Sequence, residues 1–161
     1  MQALQAQTTE AHKKFLDTQA QAARTLQQMM ESTRRMAEAI AEGIAEAGVA
    51  VKPIHIRSSH RSDIMTEIMD AKAIVVGSPT LNNQMFPTVS DILTYMKGLK
   101  PAHKIGAAFG SFGWSGEAPK LIRGELEAMK FEMVEPNLRL KYVPDEQGME
   151  ACYGLGKKIA K

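Results

Sequence analysis

The chain has 161 residues, 44% hydrophobic and 24% charged, with a net charge of +2, enough for one globular domain with a real core. No dense Lys/Arg run marks a nucleic-acid footprint, and the longest apolar runs are strand-sized, too short for a membrane span or a secretory h-region. A single cysteine, Cys152, excludes an internal disulfide framework and any CxxC metal or redox pair, so the chain is expected to be cytosolic.

No Gly or Pro occurs before Gly43, and residues 9–42 are rich in Ala, Gln, Glu, Met and Arg, all good helix formers. Thr8 or Thr9 is the expected N-cap. Apolar or small residues recur at Phe15, Ala22, Leu26, Met29, Met36 and Ile40, with Thr33 in register, a helical spacing. Unbroken, residues 9–47 would make a rod of roughly 60 Å. Such an amphipathic helix seeks a partner, and homo-oligomerisation through it is an expectation.

After Gly48 the pattern changes. Val49 to Ile56 alternates like a strand, and its Pro53 suits an edge. Ser62–Ala71 reads as a short helix with Ser62 as its cap. Ala73–Ser78 is a continuous apolar run of the kind found in a buried parallel strand. A loop leads to a helix from Pro87, at the favoured first position, to Gly98. Lys104–Gly110 is the next buried strand, and a Gly/Ser loop leads into a helix over Gly116–Met129. Met133–Tyr142 is the last strand and Pro144–Lys161 the closing helix. This alternation predicts an α/β fold, a doubly wound parallel sheet with helices on both faces.

In an open α/β sheet, ligands bind beyond the carboxyl ends of the strands. Two unusual loops are expected there. The first, Gly77-Ser78-Pro79-Thr80-Leu81-Asn82-Asn83-Gln84-Met85-Phe86-Pro87, sets amides and hydroxyls beside apolar side chains, a mixture suited to a flat polar ring. The second, Gly110-Ser111-Phe112-Gly113-Trp114-Ser115-Gly116-Glu117-Ala118, combines glycines that admit close approach of backbone N–H groups with flat apolar surface from Phe112 and Trp114. An ordinary loop capping the next helix is the alternative for each.

The combination of Gly77–Asn83 (GSPTLNN) with Gly110–Ala118 (GSFGWSGEA), within the longer stretches Ser62–Pro101 and Lys104–Pro136, closely resembles the flavodoxin-like domain of the flavodiiron proteins, the A-type flavoproteins. The likeness runs from about Ser32 to about Gly156, about three quarters of the chain. It implies a flavodoxin-like fold, non-covalent FMN, and electron transfer to a diiron centre in a neighbouring domain. By that likeness Ser78-Pro79-Thr80-Leu81-Asn82-Asn83 and Ser111-Phe112-Gly113-Trp114-Ser115-Gly116 would embrace the isoalloxazine ring. Loop N–H and amide groups would bond its N and O atoms, with Trp114 packed beside it.

The family's first strand ends in a phosphate loop of the type Thr-Met-Trp/Tyr-x-Ser-Thr. Here Met29, Ser32 and Thr33 remain, making Ser32 and Thr33 the candidate phosphate residues by resemblance. The residues before Gln27 contain no apolar β-branched run, and Glu31 would repel a phosphate. A helix broken at Ser32 would offer free N–H groups to an anion, whereas a continuous helix would not. Composition favours the continuous helix, with residues 1–31 as a helical extension on a flavodoxin-like domain at 32–161. Such a join suggests a fusion or designed chimera. The usual first strand would then be lacking, and Val49–Ile56 and Ala73–Ser78 would pair directly, borrow a strand from another copy, or leave a gap.

His12, His55, His60 and His103 are scattered without ligand spacing, and the diiron ligands and rubredoxin cysteines of the wider family are absent from this chain. No catalytic or metal-binding residue is assigned. The expected partner is therefore a redox protein or a diiron domain in trans, with no nucleic acid and no membrane. Arg57–Arg61 is a basic loop that would suit an acidic redox partner or simply face solvent. Two functions stand open: an FMN-dependent electron-transfer domain, or a scaffold of the same fold with FMN affinity weak or lost.

Overall fold

In a computed structural model, describing residues 2–161 with side chains from residue 7 onward, helix α1 runs Gln2–Glu46 without a break. It starts ahead of Thr8 and Thr9, the expected caps, because the same run of helix formers extends to the start. At 45 residues it is about 65 Å long. Residues 7–24 are exposed, and burial sets in only from Thr25 onward. From there one stripe, Met29, Met36, Ile40 and Ile44, enters the core. Arg34 bridges Glu31 and Glu38 at 2.7 and 2.9 Å along the exposed face. Since residues 7–24 bury nothing, deleting residues 2–22 is expected to move the thermal midpoint by less than about 2 °C. Calorimetry on both chains checks this, and a larger fall would show that the projecting helix stabilises the body.

The segment Val49–Ile56 corrects the expectation of a strand. It forms none, and only a short 3-10 turn follows at Ile56–Ser58. Val49 and Val51 stay exposed. The reason is that a strand exists only against a ladder partner. The residues that would have made the intervening strand are helical in α1, so the alternating pattern has nothing to bond. The sheet leaves a gap there.

Helix α2 (Arg61–Asp70) is capped by His60, whose ring accepts from the Ser62 amide, rather than by Ser62 itself. Strand β1 (Ala73–Gly77) follows, then a two-stranded hairpin of β2 (Thr80–Leu81) and β3 (Gln84–Met85) that local pattern did not anticipate. Helix α3 spans Pro87–Leu99, with Pro87 in its first turn, and strand β4 spans Ile105–Phe112. Helix α4 is Ala118–Ala128. The expected last strand is divided into β5 (Glu132–Met133) and β6 (Leu138–Lys141), with Pro136, which has no N–H for a ladder, between them. Helix α5 (Glu146–Ile159) is capped by Asp145, which accepts from the Gly148 amide at 2.7 Å.

The main sheet is parallel. Central β4 pairs with β1, from Ala73↔Ile105 to Gly77↔Phe109, and on its other side with β5 and β6. The Lys72 carbonyl and Ser78 amide both bond toward β4, so the alternate residues Ala73, Val75 and Gly77 turn their backbone groups to the open edge. One face is covered by α2, α3 and α4 around Ile68, Leu93, Met96, Ile122 and Leu126. The other is covered by α1 and α5 around Met36, Ile40, Phe109, Cys152 and Leu155. Burial pushes the Cys152 thiol up to about 11, so it packs as an inert apolar group.

Candidate functional site at the carboxyl rim of the sheet

The loop after β1 is held from inside. Ser78 is fully buried, and its hydroxyl accepts from the Phe86 amide and donates to the Pro79 carbonyl, both at 2.8 Å. This closes the loop at its base. Pro79 is buried as well. The buried Thr80 hydroxyl accepts from the Ala118 amide at 3.2 Å, satisfying an orphan N–H at the start of α4, where Glu117 makes no side-chain cap. Beyond it Leu81 is half-buried, and Asn82 and Asn83 form the hairpin tip at φ 49° and 60°. Both φ values are left-handed, as a two-residue primed turn requires, and Asn tolerates this better than other non-glycine residues. The tip therefore presents two exposed carboxamides.

The loop after β4 lies beside it. The Ser115 hydroxyl donates to the Asn83 side-chain oxygen at 2.5 Å, which ties the two loops together. Gly110 is required where they meet: a Cβ there would lie 2.1 Å from the Ser78 carbonyl oxygen. Phe112 is half-buried, while Gly113 and Gly116 are buried. Trp114 stands 88% exposed on this shelf, a large flat apolar surface with almost no cover. The residues proposed from the two loops are thus brought to one rim, but at different depths. Ser78, Pro79, Thr80, Ser111, Gly113 and Gly116 are enclosed within the loops, Leu81, Phe112 and Ser115 are half-buried, and Asn82, Asn83 and Trp114 face outward.

Ser32 and Thr33 reach the same end of the sheet from α1. Ser111, at the carboxyl end of β4, donates to the Met29 carbonyl at 2.7 Å, and its hydroxyl lies 2.8 Å from that of Thr33. The Thr33 hydroxyl is also 2.9 Å from the Met29 carbonyl, and the Ser32 hydroxyl donates to the Gln28 carbonyl at 2.8 Å. All three serines and threonines are buried. The Ser111 bonds to Met29 and Thr33 lock α1 onto the strand end, while Ser32 turns back on its own helix. The Arg34 guanidinium hydrogen-bonded to Glu31 holds that carboxyl below its usual range, so the same turn carries a firm negative charge.

Two further residues stand at this rim, of which Tyr142 escaped the sequence reading. Tyr142, just past β6, bonds its amide to the Phe112 carbonyl at 2.8 Å and stands 47% exposed. Met29 comes next to the second loop: a Cβ on Gly113 would be 3.4 Å from the Tyr142 ring and 3.9 Å from the Met29 sulfur. An aromatic residue ending the last parallel strand was a usable signal for Tyr142. Met29 was kept in the phosphate-loop resemblance, but only a helix passing β4 brings it beside the second loop.

Tested against a flavin mononucleotide, the site fits at one end. An open shelf with carboxamides, a glycine-rich backbone and a bare indole suits a planar heterocycle with polar edges. The phosphate end does not fit, for the hydroxyls and amides that would receive it are engaged within α1. Two clefts of about 430 Å³ lie elsewhere, one at His103, Lys104 and Lys130 by the amino ends of β4 and β5, the other between Arg61 and Tyr95. Among the described residues no three His, Cys, Asp or Glu come together as a metal site, and no helix is long and apolar enough to cross a membrane.

The profile described as Flavodoxin matches residues 29–156. A nitric oxide reductase of Moorella thermoacetica is 43% identical over 133 residues, covering 82% of this chain and 33% of that protein. The solved rubredoxin oxygen:oxidoreductase of Desulfovibrio gigas superposes with a TM-score of 0.78 at 44% identity, covering 82% of this chain and 33% of that one. An archaeal flavodoxin structure gives a TM-score of 0.74 at 37% identity, covering 80% of this chain and 88% of that one. The chain spans about a third of the length of the curated relatives it matches. A parallel sheet wound on both faces, two loops joined at its carboxyl rim and a profile match across most of its length place the chain in the flavodoxin family, as a homologue of the flavodoxin part of flavodiiron proteins.

Proposed function

We propose that this chain is an FMN-dependent electron-transfer module, with residues 32–161 as the flavin domain and 1–31 as its helical extension. The observation that carries the reading is the Ser115–Asn83 bond, which fixes the two loops side by side beneath an uncovered Trp114. Asn82, Asn83 and the backbone of Ser115 would hydrogen-bond a ring edge. Trp114 supplies the apolar surface and keeps water from one side. When bound, the flavin supplies reversible electron transfer. The chain's residues bind it, orient it and set the polarity around it. The reductions named for the relatives are assigned to a partner, either a redox protein or a diiron domain supplied in trans.

Titrating the purified chain into FMN is expected to quench flavin fluorescence with a break near one equivalent, and the yellow complex should co-elute from a sizing column. Flavin that passes through unretained, with its fluorescence undiminished, would refute the reading.

A further inference from the structure

FMN differs from riboflavin by one phosphate, which carries close to two negative charges at neutral pH. Holding such a group takes free N–H groups at a helix start, hydroxyl donors or clustered cations. At this rim the amides and hydroxyls are spent, and the cations are exposed to solvent. Helix α1 is continuous from Gln2 to Glu46, so the amides of residues 31–34 bond to carbonyls one turn back. The hydroxyls of Ser32, Thr33 and Ser111 are buried on the Gln28 and Met29 carbonyls and on one another. Glu31 sets a carboxylate on that turn, and Arg34 is held between Glu31 and Glu38.

The nearby cations Arg35 and Arg57 are exposed, the Arg57 guanidinium lying 3.7 Å from the Met30 sulfur. A solvent-exposed charge pair changes affinity by no more than about fivefold. The ring-facing groups stand apart from this turn. Asn82, Asn83, Trp114 and Ser115 belong to the two loops, and none of their side chains bonds to the Glu31–Arg34 turn.

We propose that this chain holds flavin through the ring alone and therefore accepts riboflavin as well as FMN. The inference rests on the flavin reading above and specifies its ligand class: an isoalloxazine, with or without a phosphate. The phosphate stays in solvent and adds little.

The test is a parallel fluorescence-quenching titration of the full chain with FMN and with riboflavin at one ionic strength, the FMN series repeated with excess inorganic phosphate. The two dissociation constants are expected to agree within about tenfold, and phosphate should leave the FMN curve in place. FMN binding more than about tenfold tighter than riboflavin, or competition by phosphate, overturns this inference while the flavin reading stands. Failure of both flavins to bind defeats the flavin reading and the inference with it.

Discussion

Replacing Gly156 with alanine is expected to cost about 3 kcal/mol of stability and to lower the thermal midpoint by about 6–12 °C. Helices α1 and α5 cover the same face of the sheet, and they meet through a reciprocal pair of glycines. A Cβ on Gly156 would lie 2.1 Å from the Ile40 carbonyl oxygen and 3.0 Å from the Ile44 nitrogen, while one on Gly43 would lie 2.2 Å from the Tyr153 carbonyl oxygen. These obstacles are backbone atoms, which cannot swing aside as a side-chain tip does. The helices must separate, and Met36, Ile40, Cys152 and Leu155, buried at 0–2% exposure between them and the sheet, lose their close packing. Gly154 is the internal control. It lies two residues away in the same helix with nothing within 4 Å, so Gly154→Ala should stabilise by about 0.5–1 kcal/mol through helix propensity. Denaturant titration of both variants checks the contrast, and equal effects would mean that the α1–α5 contact is looser than described.

Trp114→Ala should weaken flavin binding by about tenfold or more while leaving the thermal midpoint of the flavin-free protein unchanged. Stacking of a planar heterocycle on an aromatic side chain is worth about 1–3 kcal/mol, and about 1.4 kcal/mol is a factor of ten. The indole is 88% exposed, so its removal takes almost nothing from the core. Trp114→Phe should retain most of the affinity, because a flat apolar face remains. A single series measuring FMN quenching and thermal unfolding separates the outcomes. Unaltered affinity in the alanine variant would remove Trp114 from the site, and a lowered midpoint would assign it to structure.

Much of this architecture was legible from local pattern. The absence of Gly and Pro before Gly43 determined a continuous α1, since nothing interrupts its i to i−4 bonding. The apolar run at Ala73–Gly77 determined a strand, packed against both layers but only half-buried except at Ile74, and Pro87 marked the start of α3. The two loops were recognisable because their residue types depart from ordinary turns and recur together in one family.

Tertiary structure decided the rest, for reasons that no window of residues contains. Val49–Ile56 alternates as a strand should, yet strand formation depends on a neighbour to share hydrogen bonds, and α1 has removed that neighbour. The roles of Ser78 and Thr80 turn on the Phe86 and Ala118 amides, brought near by the loop fold. Ser32, Thr33 and Ser111 are hydroxyl residues that any reading would offer to a phosphate. Ser32 and Thr33 reach the Gln28 and Met29 carbonyls within the helix, one turn back, whereas only the docking of α1 on the end of β4, which joins residues separated by about 80 positions in the chain, commits Ser111 to Met29 and Thr33. Local sequence determines which groups can donate, but the packing of distant segments decides which of them remain free.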